Sequence, residues 1–319
     1  MVIQNFISES HFDSHIRLRK WFYRIAFWLL SLMLLLVLVR NSNWQLTYAR
    51  FFELPATLVL VCVSGWLFSF IFRAIRFRLE WQMQGHVSFF QALHVTFLHN
   101  AAVVLVPFRV GELGYPVLVR NLFDVSWQKC IRSLLWLRLQ DAVVLLAIAF
   151  LMWPSFSPEI RALVLFFCVG LVLLTQKHWL RLLRSRLFLA RQLRAFLHQR
   201  SGAWSWVCSA ANWICKITVV AIMLQSLTGL PILQSLDGAL TGELSAMLPI
   251  TGPAGLGTYE AAVWAGLGLP WEEMKSLMAS ILFSHLFFLS ISLLGALISL
   301  LLHSFFSNKN NVIKDNAHV

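Results

Sequence analysis

Two stretches of this chain place helix-breaking residues beside a carboxylate within apolar sequence. The first is PFRVGELGYP at 107–116, which contains Glu112, and the second is PITGPAGLG at 249–257, which Glu260 follows three residues later. A helix that begins after each cluster has unpaired backbone N–H groups and the positive end of its dipole at the break. Such helix ends bind anions, and phosphate in particular.

Arginines and glycines near the two breaks fit the same chemistry. Arg109 and Arg138 add positive charge, and the glycines let a ligand approach the backbone closely. We therefore predict an anion site whose contacts are Arg109, Glu112, Arg138, Gly255, Gly257 and Glu260. The supporting residues are expected to be Pro107, Gly111, Asp141, Pro253 and His285.

The two glutamates have several readings in an anion site. Each carboxylate can be stabilised by the helix dipole, paired with Arg109 or Arg138, or protonated, or it can carry a proton or cation with the substrate. An ionisable residue at membrane depth is a functional candidate. In the alternative reading, Glu112 and Glu260 only cap their helices and brace the two turns.

Composition places these residues in a membrane. The chain has 319 residues, of which 59% are hydrophobic and only 13% charged, and its mean hydropathy is +0.72. A soluble domain is nearer one quarter charged. We predict an all-α polytopic membrane protein forming a single domain over 1–319, with full spans at about 21–39, 55–72, 130–153, 159–175, 203–225 and 272–302.

The segments 88–122 and 236–269 are apolar but are split by the two breaker clusters. Each is expected to form a re-entrant helical hairpin, because non-helical backbone at membrane depth must be shielded by protein or line a wet cavity. Lys and Arg mark cytoplasmic loops. Arg73, Arg76 and Arg78, and the basic stretch 177–200, therefore predict a plasma (inner) membrane protein with both termini cytoplasmic, against which Arg40 and Arg50 count as exceptions.

The order of elements then repeats with inverted topology. Span, span, hairpin, span is expected at about 21–153 and again at about 159–302. Arg138 follows Glu112 by 26 residues, and His285 follows Glu260 by 25. Broken helices in corresponding positions of two repeats point to a substrate site near the midplane of the membrane.

Both breaker stretches resemble the signature hairpins of the lysylphosphatidylglycerol synthase transmembrane family, which is also described as flippase-like. The matching residues are Pro107, Arg109, Gly111 and Glu112 in the first motif, Arg138, Leu139 and Asp141 on the next span, and Pro249, Gly255, Leu256, Gly257 and Glu260 in the second motif. The resemblance covers roughly residues 20 to 305 and implies a membrane part that binds or moves lipid.

Two departures from the family pattern are present. Gly252-Pro253-Ala254-Gly255 stands where the family usually has Pro-Gly-Gly, and Ser284-His285 stands where the last span often carries Arg. Family members that aminoacylate lipids also carry a large soluble domain. About 15 polar residues follow the last span here, so we expect no synthesis of an aminoacylated lipid.

Other polar residues have weaker patterns. Asp141 is three residues from Arg138 and is expected to balance it. Glu243 and Lys216 could pair with each other, while His94 and His99 have a poor metal spacing and favour polar packing. The basic stretch 177–202 is expected to be an amphipathic helix on an anionic leaflet or a solvated topology determinant. None of the five cysteines has metal-ligand spacing, and no metal, cofactor or nucleic acid is expected.

Three function classes follow from these residues. The first is a lipid transporter or flippase that binds an anionic head group, from a phospholipid or a lipid-linked phosphate, at a midplane site. The second is a membrane enzyme that modifies lipid, and we find no constellation of catalytic residues for it. The third is a non-catalytic membrane partner of enzymes in a lipid or glycan synthesis pathway.

Overall fold

The structure is a computed structural model that describes residues 44–82, 85–106, 110–152, 157–174, 202–248 and 251–316. In these ranges the chain forms α-helices and two 3-10 turns, without a strand. The helices are α1 (Trp44–Glu53), α2 (Ala56–Trp81), α3 (Phe89–Leu105), α4 (Gly114–Phe123), α5 (Trp127–Met152), α6 (Pro158–Leu174), α7 (Ala203–Thr228), α8 (Ile232–Ser245), α9 (Thr258–Leu267) and α10 (Trp271–Asn316).

Four helices are long and apolar enough to cross a membrane. They are α2, α5 and α7, with 26 residues each, and the Trp271–Ser304 part of α10. A helix of 26 residues is about 39 Å long, which exceeds a bilayer core of about 30 Å. The chain is therefore an all-helical, multi-pass membrane protein, as the composition predicted.

The predicted spans at 55–72, 130–153, 203–225 and 272–302 fall on these four helices. The span predicted at 159–175 is the shorter α6, which has 17 residues. The span predicted at 21–39 lies outside the described residues. So does the basic stretch predicted at 177–202, except for its last residue.

Each breaker cluster separates two helices that pack against each other. Helices α3 and α4 flank the 3-10 turn Val110–Leu113, and α8 and α9 flank the turn Pro253–Gly255. Glycine permits the close packing in both pairs. A Cβ atom on Gly111 would lie 2.0 Å from the Ala102 carbonyl oxygen, and one on Gly266 would lie 2.1 Å from Thr241 Oγ1. We call the α3–α4 unit the first hairpin and the α8–α9 unit the second hairpin.

Helix α7 is the centre of the packing. It contacts α2, α5, α8 and α10, and most of its length is buried. Its closest approach is to α2, where a Cβ on Gly65 would lie 2.5 Å from Val219 Cγ1. The first hairpin packs through α3 on α2 and α10, and α3 also contacts the turn of the second hairpin. The two hairpins therefore meet in the interior.

The arginines used to assign the second loop lie elsewhere than predicted. Helix α2 continues to Trp81, so Arg73 and Arg76 are helical, and Arg76 is only 5% exposed. Their loop assignment was wrong, because the apolar run ends well before the helix does. Arg50 has a different explanation: its Nη1 donates to the Leu227 carbonyl oxygen, 2.7 Å away, in the last turn of α7. A cation at a helix C-terminus is favourable, so this contact stabilises both Arg50 and the end of α7.

Candidate functional site

The two hairpin turns border one cavity, with a volume of about 160 Å³. First-hairpin residues in its wall include His99, Asn100 and Glu112, and second-hairpin residues include Gly255 and Tyr259. The long helices supply the remaining polar side chains, which are Arg73 from α2, Arg138 from α5, Lys216 from α7, and His285 and Ser292 from α10. A site assembled from both hairpins is therefore present between the long helices.

The first hairpin presents Glu112 to this cavity. Arg138 Nε lies 3.0 Å from Glu112 Oε2, and Arg138 Nη2 contacts Oε1, so the guanidinium grips the carboxylate with two nitrogens. His99 Nε2 is 3.5 Å from the same Oε2. The side chains of Arg138 and Glu112 stay 27% and 15% exposed. The pair is thus held in place and yet accessible from the cavity.

The second hairpin places its glutamate differently. Glu260 is 1% exposed, and its Oε2 accepts a hydrogen bond from the Gly257 backbone N–H at 2.6 Å. Its Oε1 lies 2.7 Å from His285 Nδ1. Glu260 therefore caps its own helix and stands behind His285, and it is the imidazole that lines the cavity.

Backbone geometry at this turn requires small residues. Gly255 and Gly257 have φ values of 81° and 83°, in the left-handed region that favours glycine. A Cβ on Gly255 would lie 3.6 Å from His285 Cε1, so the backbone and the imidazole are neighbours in the cavity wall. The ring of Tyr259 stacks on that imidazole, with centroids 4.1 Å apart.

A second ion pair borders the cavity beside two indole rings. Lys216 Nζ is 2.8 Å from Glu243 Oε2, as the sequence had suggested for these two residues. The ammonium also lies 4.6 Å from the centroid of Trp66 and 4.9 Å from that of Trp213, within cation–π range. Lys216 therefore has one carboxylate partner and two indole rings that favour its charge.

Arg73 differs from Lys216 and Arg138, because it does not form an ion pair with a carboxylate of the described residues. Its Nη1 donates to Asn100 Oδ1 at 3.4 Å, and its guanidinium lies 5.8 Å from the centroid of Trp213. Among the residues that the structure describes, no carboxylate forms an ion pair with it. Among the described residues of the wall, the cations Arg73, Arg138 and Lys216 thus outnumber the carboxylates Glu112 and Glu243 by one. This described part of the wall has a net positive charge before either histidine is counted.

Asp141 does not balance Arg138, and that prediction was wrong. It accepts from Arg76 at 2.5 Å and 3.0 Å, from Ser209 at 2.9 Å and from Trp213 at 3.0 Å. Asp141 pairs with Arg76 of the neighbouring helix α2, and not with Arg138 on its own helix. Asp141 joins α5 to α2 and α7, and it borders a second, smaller cavity instead of the first.

Some predicted site residues have other positions. Pro107, Arg109 and Pro249 lie outside the described residues. Pro253 begins the 3-10 turn of the second hairpin, and Gly111 packs against α3. Gly257 and Glu260 do not line the cavity. No group of three or more His, Cys, Asp or Glu residues is arranged to hold a metal ion in the part of the chain described here.

Several polar residues of the cavity were not predicted to belong to the site, among them Arg73, Asn100 and His99. Arg73 was assigned to a loop, and Asn100 was not considered. His99 was taken for polar packing, whereas it faces Glu112. A useful signal was available for Asn100 and Lys216, which interrupt apolar helical runs, as polar residues facing a cavity do.

These features define a class of protein: a multi-pass helical membrane protein with a polar, net positive cavity between two broken helical segments. The chain belongs to the family of the lysylphosphatidylglycerol synthase transmembrane region, whose family model matches residues 24–295. This match confirms the resemblance found in the sequence. No curated protein is a significant match to the chain.

Proposed function

We propose that this protein is a flippase-like lipid transporter that binds an anionic head group in the cavity between its two hairpins. The observation that carries the proposal is the excess positive charge of the cavity wall, where Arg73 has no carboxylate partner among the described residues. A guanidinium is suited to phosphate, because its planar fork donates two hydrogen bonds at once.

The size of the cavity supports a head group as its occupant. A volume of about 160 Å³ is below the several hundred Å³ of sites that enclose a drug-sized molecule. A phosphate with a small substituent fits this space, while the acyl chains would stay in the bilayer. We assign the substrate to anionic phospholipids or lipid-linked phosphates, which share this group.

The proposal includes the inverted repeat of six spans and two hairpins. In each half, a glutamate of the hairpin contacts a basic residue on the next long helix: Glu112 with Arg138, and Glu260 with His285. The two residues of each pair are separated by nearly the same number of positions. This supports a repeat in which the glutamate of each hairpin contacts the span that follows it. We place both termini in the cytoplasm and the chain in the plasma membrane.

A reconstituted system tests the proposal. The purified chain is placed in liposomes containing fluorescent phosphatidylglycerol, and the lipid moved between leaflets is measured by chemical quenching of the outer leaflet. Wild type should accelerate movement over empty liposomes, and Arg73→Ala should abolish most of the acceleration. Arg78→Ala is the matched control, because Arg78 lies on the same helix but is exposed.

The other two function classes give different results in that assay. A non-catalytic partner of lipid-synthesis enzymes would bind lipid without moving it, and a membrane enzyme would change the mass of the lipid. Our proposal includes no bond-making step, so the lipid recovered from the liposomes should be chemically unchanged. Movement of unchanged lipid supports the transporter, and either other result overturns it.

A further inference from the structure

A second cavity lies directly behind the first. Its volume is about 50 Å³, and Arg73, His99 and Arg138 border both cavities. Tyr115 and Asp141 line the second cavity but not the first. A polar space of this size can hold water molecules, because several side chains can hydrogen-bond them. His99 therefore borders both the head-group cavity and a small space that can hold water.

A chain of hydrogen bonds leads from the second cavity to a buried carboxylate. Tyr115 Oη is 2.9 Å from Ser133 Oγ, which donates to Glu80 Oε1 at 3.0 Å. Trp81 Nε1 donates to Tyr115 Oη at 2.8 Å. Tyr115, Ser133 and Glu80 are 3%, 2% and 7% exposed. Head-group binding as proposed above uses none of these groups.

The hydrogen bonds from Tyr115 through Ser133 to Glu80 are all donated in the same direction. An ionised carboxylate only accepts, so the Ser133 hydroxyl donates to Glu80, and the Tyr115 hydroxyl in turn donates to Ser133. Each donor thus points from the cavity toward Glu80. A chain of hydroxyls with this order is set to pass a proton from the second cavity to Glu80.

We infer that His99, Tyr115, Ser133 and Glu80 form a proton path that couples head-group binding to proton exchange. The inference rests on the proposed head-group site. On release, protonated His99 gives one proton to a water in the second cavity, and the water gives one to Tyr115 Oη. Tyr115 passes its own proton to Ser133, and Ser133 passes its own to Glu80, which becomes a neutral acid and then loses that proton to solvent.

Charges around His99 explain why binding would drive this exchange. The groups that face it are Glu112 from the 3-10 turn, Arg138 from α5, Arg73 from α2, the Tyr115 ring from α4, and Asn100 from its own helix. Two neighbouring cations oppose a charged imidazole when the cavity is empty. An anionic head group between them cancels that repulsion, so His99 takes up a proton on binding and releases it when the head group leaves.

The test measures protons during binding. Purified full-length protein in weakly buffered detergent is mixed with dihexanoyl-phosphatidylglycerol, whose charge is constant near neutral pH, and a pH-indicator dye is followed by stopped flow. Wild type should take up about one proton for each probe bound. On binding the steps run in reverse: Glu80 takes a proton from solvent and gives it to Ser133, Ser133 gives its own proton to Tyr115, and Tyr115 gives its own through the water to His99.

Tyr115→Phe keeps the ring and removes the hydroxyl. It should leave the affinity for the probe unchanged and slow proton uptake at least about tenfold. Tyr48→Phe is the matched control, because Tyr48 is exposed on α1 and should behave as wild type. If Tyr115→Phe does not fold, Ser133→Ala interrupts the same path and should give the same slowing.

The outcomes separate this inference from the proposed function. Binding of the probe without proton uptake overturns the path and leaves the head-group site intact. Uptake at the wild-type rate in both Tyr115→Phe and Ser133→Ala also overturns the path. Failure of wild type to bind the probe overturns the head-group site, and the coupling with it.

Discussion

The two hairpins use the same residue type in corresponding places for different purposes. The Glu112 side chain is 15% exposed, borders the cavity and pairs with the Arg138 guanidinium, which also borders the cavity. The Glu260 side chain is 1% exposed and accepts hydrogen bonds from the Gly257 backbone N–H and the His285 imidazole. The ion pair that Glu112 forms with Arg138 is accessible from the cavity. The carboxylate of the second hairpin fixes the turn and orients His285. Corresponding sequence positions therefore do not imply equal roles, because burial decides which carboxylate a ligand can reach.

The largest expected effect is the loss of the buried glutamate. Glu260→Ala leaves the Gly257 N–H and His285 Nδ1 without their acceptor in a buried site, which should cost about 3 kcal/mol of stability. A thiol-reactive dye can report unfolding on heating, since Cys62, Cys130 and Cys208 are buried in the folded chain. The unfolding temperature should fall by many degrees.

Glu159→Ala is the control for that measurement, because Glu159 is exposed at the start of α6. If Glu260→Ala unfolds at the wild-type temperature while transport is lost, Glu260 acts on the substrate, and the contrast between the two hairpins is wrong.

Glycine substitutions compare the two turns directly. Gly111→Ala places a Cβ 2.0 Å from the Ala102 carbonyl oxygen, so backbone must move, at a cost of about 2 kcal/mol or more. Gly255→Ala meets no atom closer than 3.6 Å, and its cost is the positive φ alone, about 1 kcal/mol. Unfolding temperatures should rank wild type, Gly255→Ala and Gly111→Ala from highest to lowest, and the reverse order of the two variants would contradict the packing described here.

Arg73→Ala tests whether this cation in the cavity wall binds the anionic head group. Removing this cation should weaken binding of dihexanoyl-phosphatidylglycerol about tenfold or more, because a hydrogen bond to a charged group contributes about 1.5–3 kcal/mol. Stability should change little, as Arg73 has no ion pair among the described residues to lose. Isothermal titration with Arg78→Ala as the control gives the affinity, and an unchanged affinity would remove Arg73 from the anion site.

Glu112→Gln should have the smallest effect and the opposite sign. Without the carboxylate, the Arg138 guanidinium is available to the head group, so the same probe should bind a few-fold more tightly, a gain of about 1 kcal/mol. Transport should slow, because release becomes harder. Weaker binding in Glu112→Gln would show that Glu112 braces its hairpin as Glu260 does, and the two hairpins would then be alike.

Much of the architecture could be predicted from the sequence, because long apolar runs and clusters of glycine and proline have direct structural meaning. The helix pairs around 107–116 and 249–257 were predictable in this way. The pairing of Lys216 with Glu243 was only a possibility in the sequence. Pairing with Arg138 was one of the roles predicted for the hairpin glutamates, and Glu112 has that contact. The contact of Glu260 with His285 was not predicted.

The arrangement of the charges was harder to predict. Arg73 and Arg76 follow an apolar run, and such residues look the same in sequence whether they face water or a cavity. Asp141 was assigned to Arg138 because they share a helix face, but a partner on another helix cannot be found from spacing along one helix. The exposure that separates Glu112 from Glu260 depends on packing of distant segments, which spacing along the chain does not contain.

The small volume of the cavity has a consequence for membrane composition. In the proposed transporter, a space of about 160 Å³ accommodates only the polar end of a lipid. Fatty-acid length and unsaturation would then have no influence on which molecules are accepted. A cell that remodels its fatty acids when the temperature changes would keep the same set of substrates for this protein, and competition among lipids would be decided by their charge and head-group size.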